Sequence, residues 1–421
     1  MEKLIVHGGN TLEGNIFVSG SKNSSLPILA ATLLTAEECR ITRVPDLSDT
    51  NYMLQILQNL GADVERHSGT VLVKAEKVKS EAPYDLVRKM RASICVMGPL
   101  LGRLGEASVS LPGGCIIGDR PVDLHLKGLG DLGAEVNVDG GNILVKTTDQ
   151  YHGREINLRG KHGSTVLGTD NVMMAATLTP GTTIIEGAAA EPEVVDLANF
   201  LNKMGAKISG AGTRRIEIEG VKELHGADHE VIPDRIEAGT FLVAGALAGK
   251  DLFIKRMAPE HLGPVISLLK SCGFPVEVGD DWVKISRADR PIGGEIRTEP
   301  YPGFPTDMQA QFCAMFATVP GISVVTETIF PQRFMHVPEL GRMGANITME
   351  GPTAVIKGVE QLKAAPVMAS DLRASAALVL AALNATGSTS INRLYHIDRG
   401  YEHIDQKLRD VGAKMERAKG S

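Results

Sequence analysis

LGADVE, Leu60–Glu65, is the phrase on which the reading of this chain turns. It recurs as LGAEVN (Leu132–Asn137), MGAKIS (Met204–Ser209), CGFPVE (Cys272–Glu277), MGANIT (Met343–Thr348) and VGAKME (Val411–Glu416), with successive glycines 68 to 72 residues apart. Each copy ends an amphipathic stretch such as TNYMLQILQNLGA (Thr50–Ala62), where apolar residues recur at helical spacing and the glycine supplies a left-handed stop. Five copies are followed by a short alternating run with strand character: TVLVKA, NILVKT, RRIEIEG, DWVKISR or TAVIKG. A chain with 46 Gly contains chance Gly-Ala pairs, but six copies at nearly constant spacing mark an internal repeat.

A second periodic set lies between these phrases. LPILAATLL, RASICVMGPLLGRLG, TDNVMMAATLTPG, RIEAGTFLVAGALAG, TDMQAQFCAMFATVPG and DLRASAALVLAALNATG read as helices that are apolar nearly all round, which places them inside a core. Runs such as TTIIEGA, DLFIKRM, ISVVTETIF and TSINRLY follow them and read as strands. The predicted fold class is therefore α/β, with six repeated strand-helix units. At 421 residues the chain exceeds what one core usually holds, and three units per domain is the simplest division. The predicted domains are residues 22–232 and residues 1–21 plus 233–421, with the crossing near residues 229–235. The first strand, KLIVHG, precedes the first complete unit and is expected to pair in the C-terminal domain, so that the chain crosses twice.

Composition narrows the function. Lys plus Arg number 44 against 50 Asp plus Glu, a balance that offers no electrostatic footprint for nucleic acid or an anionic membrane. Five cysteines, widely spaced and never in a C-x-x-C pair, argue against a disulfide framework or structural zinc, and the eleven His form no H-x-x-x-H or H-E-x-x-H pattern, so no metal is expected. The start MEKLIVHGGN has no long apolar core and no apolar run reaches membrane-spanning length, which predicts a cytoplasmic protein with reduced thiols.

Charged and amide residues gather where the apolar helices begin: Lys22 and Asn23, Arg91, Arg235, Asp307, and Asp371 with Arg373. Helix N-termini facing one cleft hold phosphate or carboxylate without a basic protein overall. Taken singly, each Asp or Asn is better explained by helix capping. Arg91 and Arg373 resist that explanation, because a cation at a helix start opposes the macrodipole unless an anion accompanies it. LPGGCIIGDRP (Leu111–Pro121) has three glycines and two prolines and reads as a mobile loop centred on Cys115, with Arg120 five residues on. Cys95 and Cys313, inside apolar helices, read as core residues. Cys115 reads instead as a thiol that reaches an anionic substrate, to attack it or exchange a proton. Asp307, after a proline-rich turn, is open to two roles, helix cap or general base, and only distance separates them.

At these residues the chain resembles a known family. SGSKNSSLPILAA, MRASICVMGPL, LPGGCIIGDRPVDLH, PDRIEAGTFLVA, FPTDMQAQF, RFMHVPEL, SDLRASAALVLA and YHIDRGYEHI are similar, in order and across essentially the whole chain, to motifs of the UDP-N-acetylglucosamine enolpyruvyl transferases. The resemblance implies two inside-out α/β barrels of three repeats each, with the active site in the cleft between them. It implies that Lys22, Arg120 and Arg399 contact phosphoenolpyruvate, and that Asn23, Arg91, Pro121, Val122, Asp123, Leu124, Asp307 and Ile329 contact the nucleotide sugar, with Lys161, Leu167 and Gly168 on the uridine side. Cys115 is then the loop thiol that the family uses as proton donor and adduct-forming atom and that fosfomycin alkylates. Asp307 is the base for the sugar 3-hydroxyl, and Asp371 and Arg373 line the cleft. Where many members of the family carry Trp, this chain has Cys95, and KHGSTVLGTDN is longer than the corresponding loop of some members.

The chemistry so implied needs one acid and one base, with cations stabilising charge on phosphate and carboxylate and a closed loop excluding water. It requires no cofactor and no obligate protein partner. Its substrates are phosphoenolpyruvate and UDP-N-acetylglucosamine. Two rivals stand beside it: an enolpyruvyl transferase with a shikimate-type acceptor, against which Cys115 and RPVDLH speak, and a catalytically silent paralogue that binds the nucleotide sugar to regulate wall synthesis.

Overall fold

All six phrase glycines terminate helical segments. Gly61, Gly133, Gly205, Gly273, Gly344 and Gly412 have φ between 87° and 109°, where a side chain other than hydrogen is strained. At the first of them Ala62 N donates to Leu57 O and Gly61 N to Gln58 O, both at 3.0 Å. This pair of bonds satisfies carbonyls that the helix Ser48–Asn59 would otherwise leave open.

The computed structural model describes residues 2–82, 84–111, 122–161 and 163–419. They fall into two units, one of residues 20–232 and one of residues 2–19 with 233–419. Both are mixed α/β. The first unit holds three four-stranded sheets among the described residues: Asp228–Glu230, Glu38–Thr42, Thr70–Lys74, Asp63–His67; then Glu81–Ala82, Glu106–Ser110, Asn142–Thr147, Ala134–Asp139; then Glu155–Asn157, Thr182–Glu186, Arg215–Glu219, Lys207–Ser209. In each, the first two strands are parallel and the remaining pairings antiparallel.

The second unit repeats the same order and sense of pairing. Its sheets are Leu12–Phe17, Gly249–Lys255, Trp282–Ile285, Val276–Val278; then Glu295–Arg297, Ile322–Thr326, Thr353–Lys357, Asn346–Glu350; then Pro366–Met368, Ser388–Asn392, Glu2–His7, Lys414–Lys419. In the last of these the third place belongs to the N-terminal strand: Leu4 pairs with Ile391 on one side and Arg417 on the other. Alternation puts one face inward, as in Thr70–Lys74, where Val71 and Val73 are fully buried.

The apolar helices occupy the interiors. In the second unit Arg235–Ala248, Gln309–Phe316 and Leu372–Leu383 pack against one another, and every residue from Ile236 to Ala248 is buried. In the first, Val166–Ala176 packs on both Lys22–Ala31 and Met97–Leu104. Gly98 permits that approach, since a Cβ there would collide with the backbone oxygen of Asn171. A helix buried on all sides gains about 1.5–3 kcal/mol per large aliphatic side chain, so the interiors hold the helix N-termini in place. No helix among the described residues is long and apolar enough to cross a membrane.

Candidate functional site

In the second unit the site is built around Asp307. The turn Thr306–Met308 starts after Pro305, so Asp307 lies inside the turn rather than at its cap. Its carboxylate goes elsewhere. Arg333 Nη1 donates to Oδ1 at 2.7 Å and Arg373 Nη2 to Oδ2 at 2.9 Å. Both arginine side chains are nearly inaccessible, 8% and 4% exposed, whereas Asp307 retains 23%. One carboxylate thus answers two buried guanidinium charges and still faces solvent. The N-cap place of this turn is held by Pro305, not by Asp307.

Asp371 does cap a helix. Its Oδ1 accepts from Arg373 N at 2.9 Å and Ala374 N at 3.0 Å at the start of Leu372–Leu383. Arg373, two residues inside that helix, is the cation whose position called for an anion, and Asp307 supplies it from within the chain. Burial, the largest single influence, works against the charge of Arg373, but Asp307, Tyr401 and Asp234 together outweigh it and raise the pKa. Behind the guanidinium lies the Tyr401 ring, with its centroid at 5.4 Å. The Tyr401 hydroxyl meets Thr240 Oγ1 at 3.0 Å and accepts from Gln311 Nε2 at 3.3 Å, and the same Gln311 amide donates to Asp307 O at 2.8 Å. All three interior helices therefore contribute to fixing Asp307 and Arg373.

His336 and His396 border this cluster. Burial pushes His336 down to about 4, with Asp371 opposing and Arg333 adding to the effect. Burial also lowers His396, aided by Arg399. Arg399, at the end of Leu394–Arg399, is half-buried. Asp307, Asp371, Arg373 and Arg399 thus share one electrostatic neighbourhood. Ile329, half-buried, joins through a hydrogen-bonded turn at Glu327.

The first unit gathers a second group. Lys22 opens the helix Lys22–Ala31, which Ser21 caps, and Lys22 Nζ lies 3.4 Å from Asp49 Oδ2, itself almost wholly buried. Asn23 beside it is half-buried. The turn Arg91–Val96 packs against the same helix. Asn171 ties this turn to its surroundings: Nδ2 donates to Ile94 O at 2.9 Å and lies 2.9 Å from His125 Nδ1, while Oδ1 accepts from Gly98 N at 2.8 Å. Burial, with the Arg91 charge second, drives His125 down to about 3, so the imidazole stays neutral.

Val122, Asp123 and Leu124 start the helix Asp123–Asp131. Leu124 lies against Gly160, where an added Cβ would come within 2.8 Å of its Cδ1. Gly160 belongs to the paired segments Arg159–Gly160 and Gly163–Ser164, Lys161 is exposed next to it, and Leu167 and Gly168 begin the next helix, with Gly168 N donating to Thr165 Oγ1 at 3.2 Å. Cys95 is fully buried, and burial followed by the charge of Asp170 raises its thiol pKa well above the usual value. Cys115, Arg120 and Pro121 lie outside the described residues.

Arg333 and Asn171 were not singled out from sequence. Arg333 stands in the motif RFMHVPEL, but nothing in its spacing links it to Asp307, 26 residues earlier. Asn171 sits in an apolar helix, and a buried amide there was the available signal.

Three kinds of comparison bear on this arrangement. A family model described as EPSP synthase (3-phosphoshikimate 1-carboxyvinyltransferase) matches residues 6–408. The chain is 62% identical over 419 residues to a UDP-N-acetylglucosamine 1-carboxyvinyltransferase of Akkermansia muciniphila, and 60% identical over 417 residues to one of Methylacidiphilum infernorum, with 99% of each chain covered in both cases. Among solved structures it resembles the enolpyruvyl transferase NikO from Streptomyces tendae, with TM-score 0.91 and 26% identity over 100% of this chain and 99% of that one. An EPSP synthase from Acinetobacter baumannii, at 16% identity, TM-score 0.78 and full coverage of both chains, shares the fold.

Proposed function

This chain belongs to the UDP-N-acetylglucosamine 1-carboxyvinyltransferase family, and from that premise we propose that it transfers the enolpyruvyl group of phosphoenolpyruvate to the 3-hydroxyl of UDP-N-acetylglucosamine, releasing phosphate. In this reading it performs the first committed step of peptidoglycan precursor synthesis, in the cytoplasm, with no cofactor. The observation that carries the proposal is Asp307, an accessible carboxylate whose orientation is set by two buried arginines. A base must be held at one distance from one proton, and two charge-assisted bonds of fixed geometry do that.

The reaction divides into two steps. Asp307 removes the proton of the sugar 3-hydroxyl as that oxygen bonds to the central carbon of the enol, while Cys115 delivers a proton to the methylene carbon. The tetrahedral adduct then loses phosphate, which carries off the proton taken up by Asp307, as the Cys115 thiolate takes back a methyl proton and the double bond is restored. Lys22, Arg120 and Arg399 hold the phosphate and carboxylate of phosphoenolpyruvate, and Asp371 and Arg373 line the same site. Asn23, Arg91, Pro121 to Leu124 and Ile329 receive the nucleotide sugar, with Lys161, Leu167 and Gly168 on its uridine side. Lys22 beside Asp49 and Arg373 beside Asp307 support these roles, because preorganised charges stabilise developing charge without reorganising. The six sheets of one order support a further reading, of two inside-out barrels built from three repeats each.

A phosphate-release assay with phosphoenolpyruvate and either UDP-N-acetylglucosamine or shikimate 3-phosphate tests the acceptor. Release with the nucleotide sugar alone is expected. Release with shikimate 3-phosphate alone would move the chain to the other acceptor, and release with neither would leave a binding protein.

A further inference from the structure

Glu327 is 1% exposed and appears in none of the roles above. It follows the strand Ile322–Thr326 and collects four hydrogen bonds. Its Oε1 accepts from Thr298 Oγ1 at 2.7 Å, Ile329 N at 2.8 Å and Phe330 N at 2.9 Å. Its Oε2 accepts from Thr306 Oγ1 at 2.8 Å. Thr306 Oγ1 in turn accepts from Arg333 Nη1 at 3.0 Å, and the same nitrogen donates to Asp307 Oδ1 at 2.7 Å.

Every donor in this chain has a definite direction. The Thr306 hydroxyl gives its one proton to Glu327 and so offers a lone pair to Arg333. The Thr298 hydroxyl gives its proton to Glu327 and accepts from Thr328 N at 2.9 Å. One carboxylate thus sets the backbone at Ile329 and, two bonds away, the guanidinium that aims Asp307. A carboxylate buried to this degree is retained only when its lone pairs are taken, and here two of its four donors are backbone N–H groups of a turn that leads directly to Arg333. The bonds to charged acceptors are each the stronger kind.

The geometry points to Glu327 as a positioning residue for the acceptor sugar, holding the Ile329 turn and the Asp307 carboxylate at a set separation. The inference rests on the proposed roles of Ile329 and Asp307 in receiving the nucleotide sugar. It makes Glu327 a determinant of acceptor binding without contact to the acceptor, and it leaves phosphoenolpyruvate recognition to other residues.

The test is Glu327→Gln. Glutamine has the same shape but presents NH2 in place of one oxygen, so either Thr306 or the Ile329 turn loses its acceptor. Wild-type phosphate release with both substrates is measured first, and its absence would count against the proposed reaction alone. In the variant, the KM for UDP-N-acetylglucosamine and its calorimetric Kd without phosphoenolpyruvate are expected to rise about ten- to hundredfold, the equivalent of one charge-assisted hydrogen bond. The KM for phosphoenolpyruvate should stay within about twofold. Equal changes for both substrates would reveal a general structural role, and no change in either would remove Glu327 from acceptor binding; both results overturn the inference. Should Glu327→Gln fail to fold, Thr306→Val decides. It removes the donor to Glu327 Oε2 together with the branch to Arg333, and is expected to lower kcat about tenfold with a fall of a few degrees in the thermal midpoint, whereas an unaltered kcat would break the proposed path to Asp307.

Discussion

Replacing Asp307 with asparagine leaves the shape of the site intact and removes the only feature that lets Arg333 and Arg373 share one acceptor. The amide oxygen can serve one guanidinium, but the amide nitrogen then faces the N–H groups of the other. One charge-assisted bond is lost, worth about 1.5–3 kcal/mol, and a side chain only 4% or 8% exposed keeps its charge without that counterion. Together these give roughly 2–4 kcal/mol of destabilisation, tempered by the 23% exposure of Asp307, through which water reaches the cluster. For a domain of about 150–250 residues that corresponds to a fall of roughly 5–15 °C in the midpoint of its unfolding transition. The chemical effect is separate and larger: loss of a positioned base costs about 10²–10⁴ in kcat. Calorimetric melting and phosphate release at saturating substrates measure the two independently. A variant that melts within about 2 °C of wild type would refute the energetic account of the Arg333–Asp307–Arg373 cluster. One that keeps more than about a tenth of wild-type kcat would refute the role of Asp307 as base.

Acid sensitivity should follow from the buried imidazoles. His125 and His336 have folded pKa values near 3 and 4, below the usual value of 6.5, so the unfolded chain binds more protons than the folded one between those limits. Stability from each is therefore complete above about pH 6.5 and falls by roughly 1 kcal/mol per pH unit on acidification toward the folded pKa; melting curves between pH 7 and 5 should show it, and an unchanged midpoint would contradict the burial of both rings. Gly61→Ala should cost more than Gly344→Ala, because a Cβ at Gly61 would stand 2.5 Å from Lys77 O while nothing lies within 4 Å at Gly344. Both pay about 1 kcal/mol for positive φ, and thermal midpoints compared with wild type test the difference. Cys115→Ser should lose covalent labelling by fosfomycin, read by intact mass; labelling at full stoichiometry in the variant would move the reactive group elsewhere.

Much of this protein is decided by local rules that sequence alone expresses. A glycine that ends a helix must tolerate positive φ, and a helix apolar on all faces must be buried, so Gly61 and its five counterparts, and helices such as Arg235–Ala248, were legible from spacing and composition. The eight motifs were likewise sufficient to place the chain in its family. What sequence left open were matters of distance. It could not choose between cap and base for Asp307, nor distinguish Asp371, which does cap, from it. It gave no reason to connect Arg333 with Asp307, Tyr401 with Thr240 and Gln311, or Glu327 with Thr306. The physical cause is the same in each case. Capping and helix termination act between neighbours along the chain, whereas the partner of a buried charge is whichever opposite charge the packed helices and sheets bring within about 3 Å, and that is settled only by the tertiary fold.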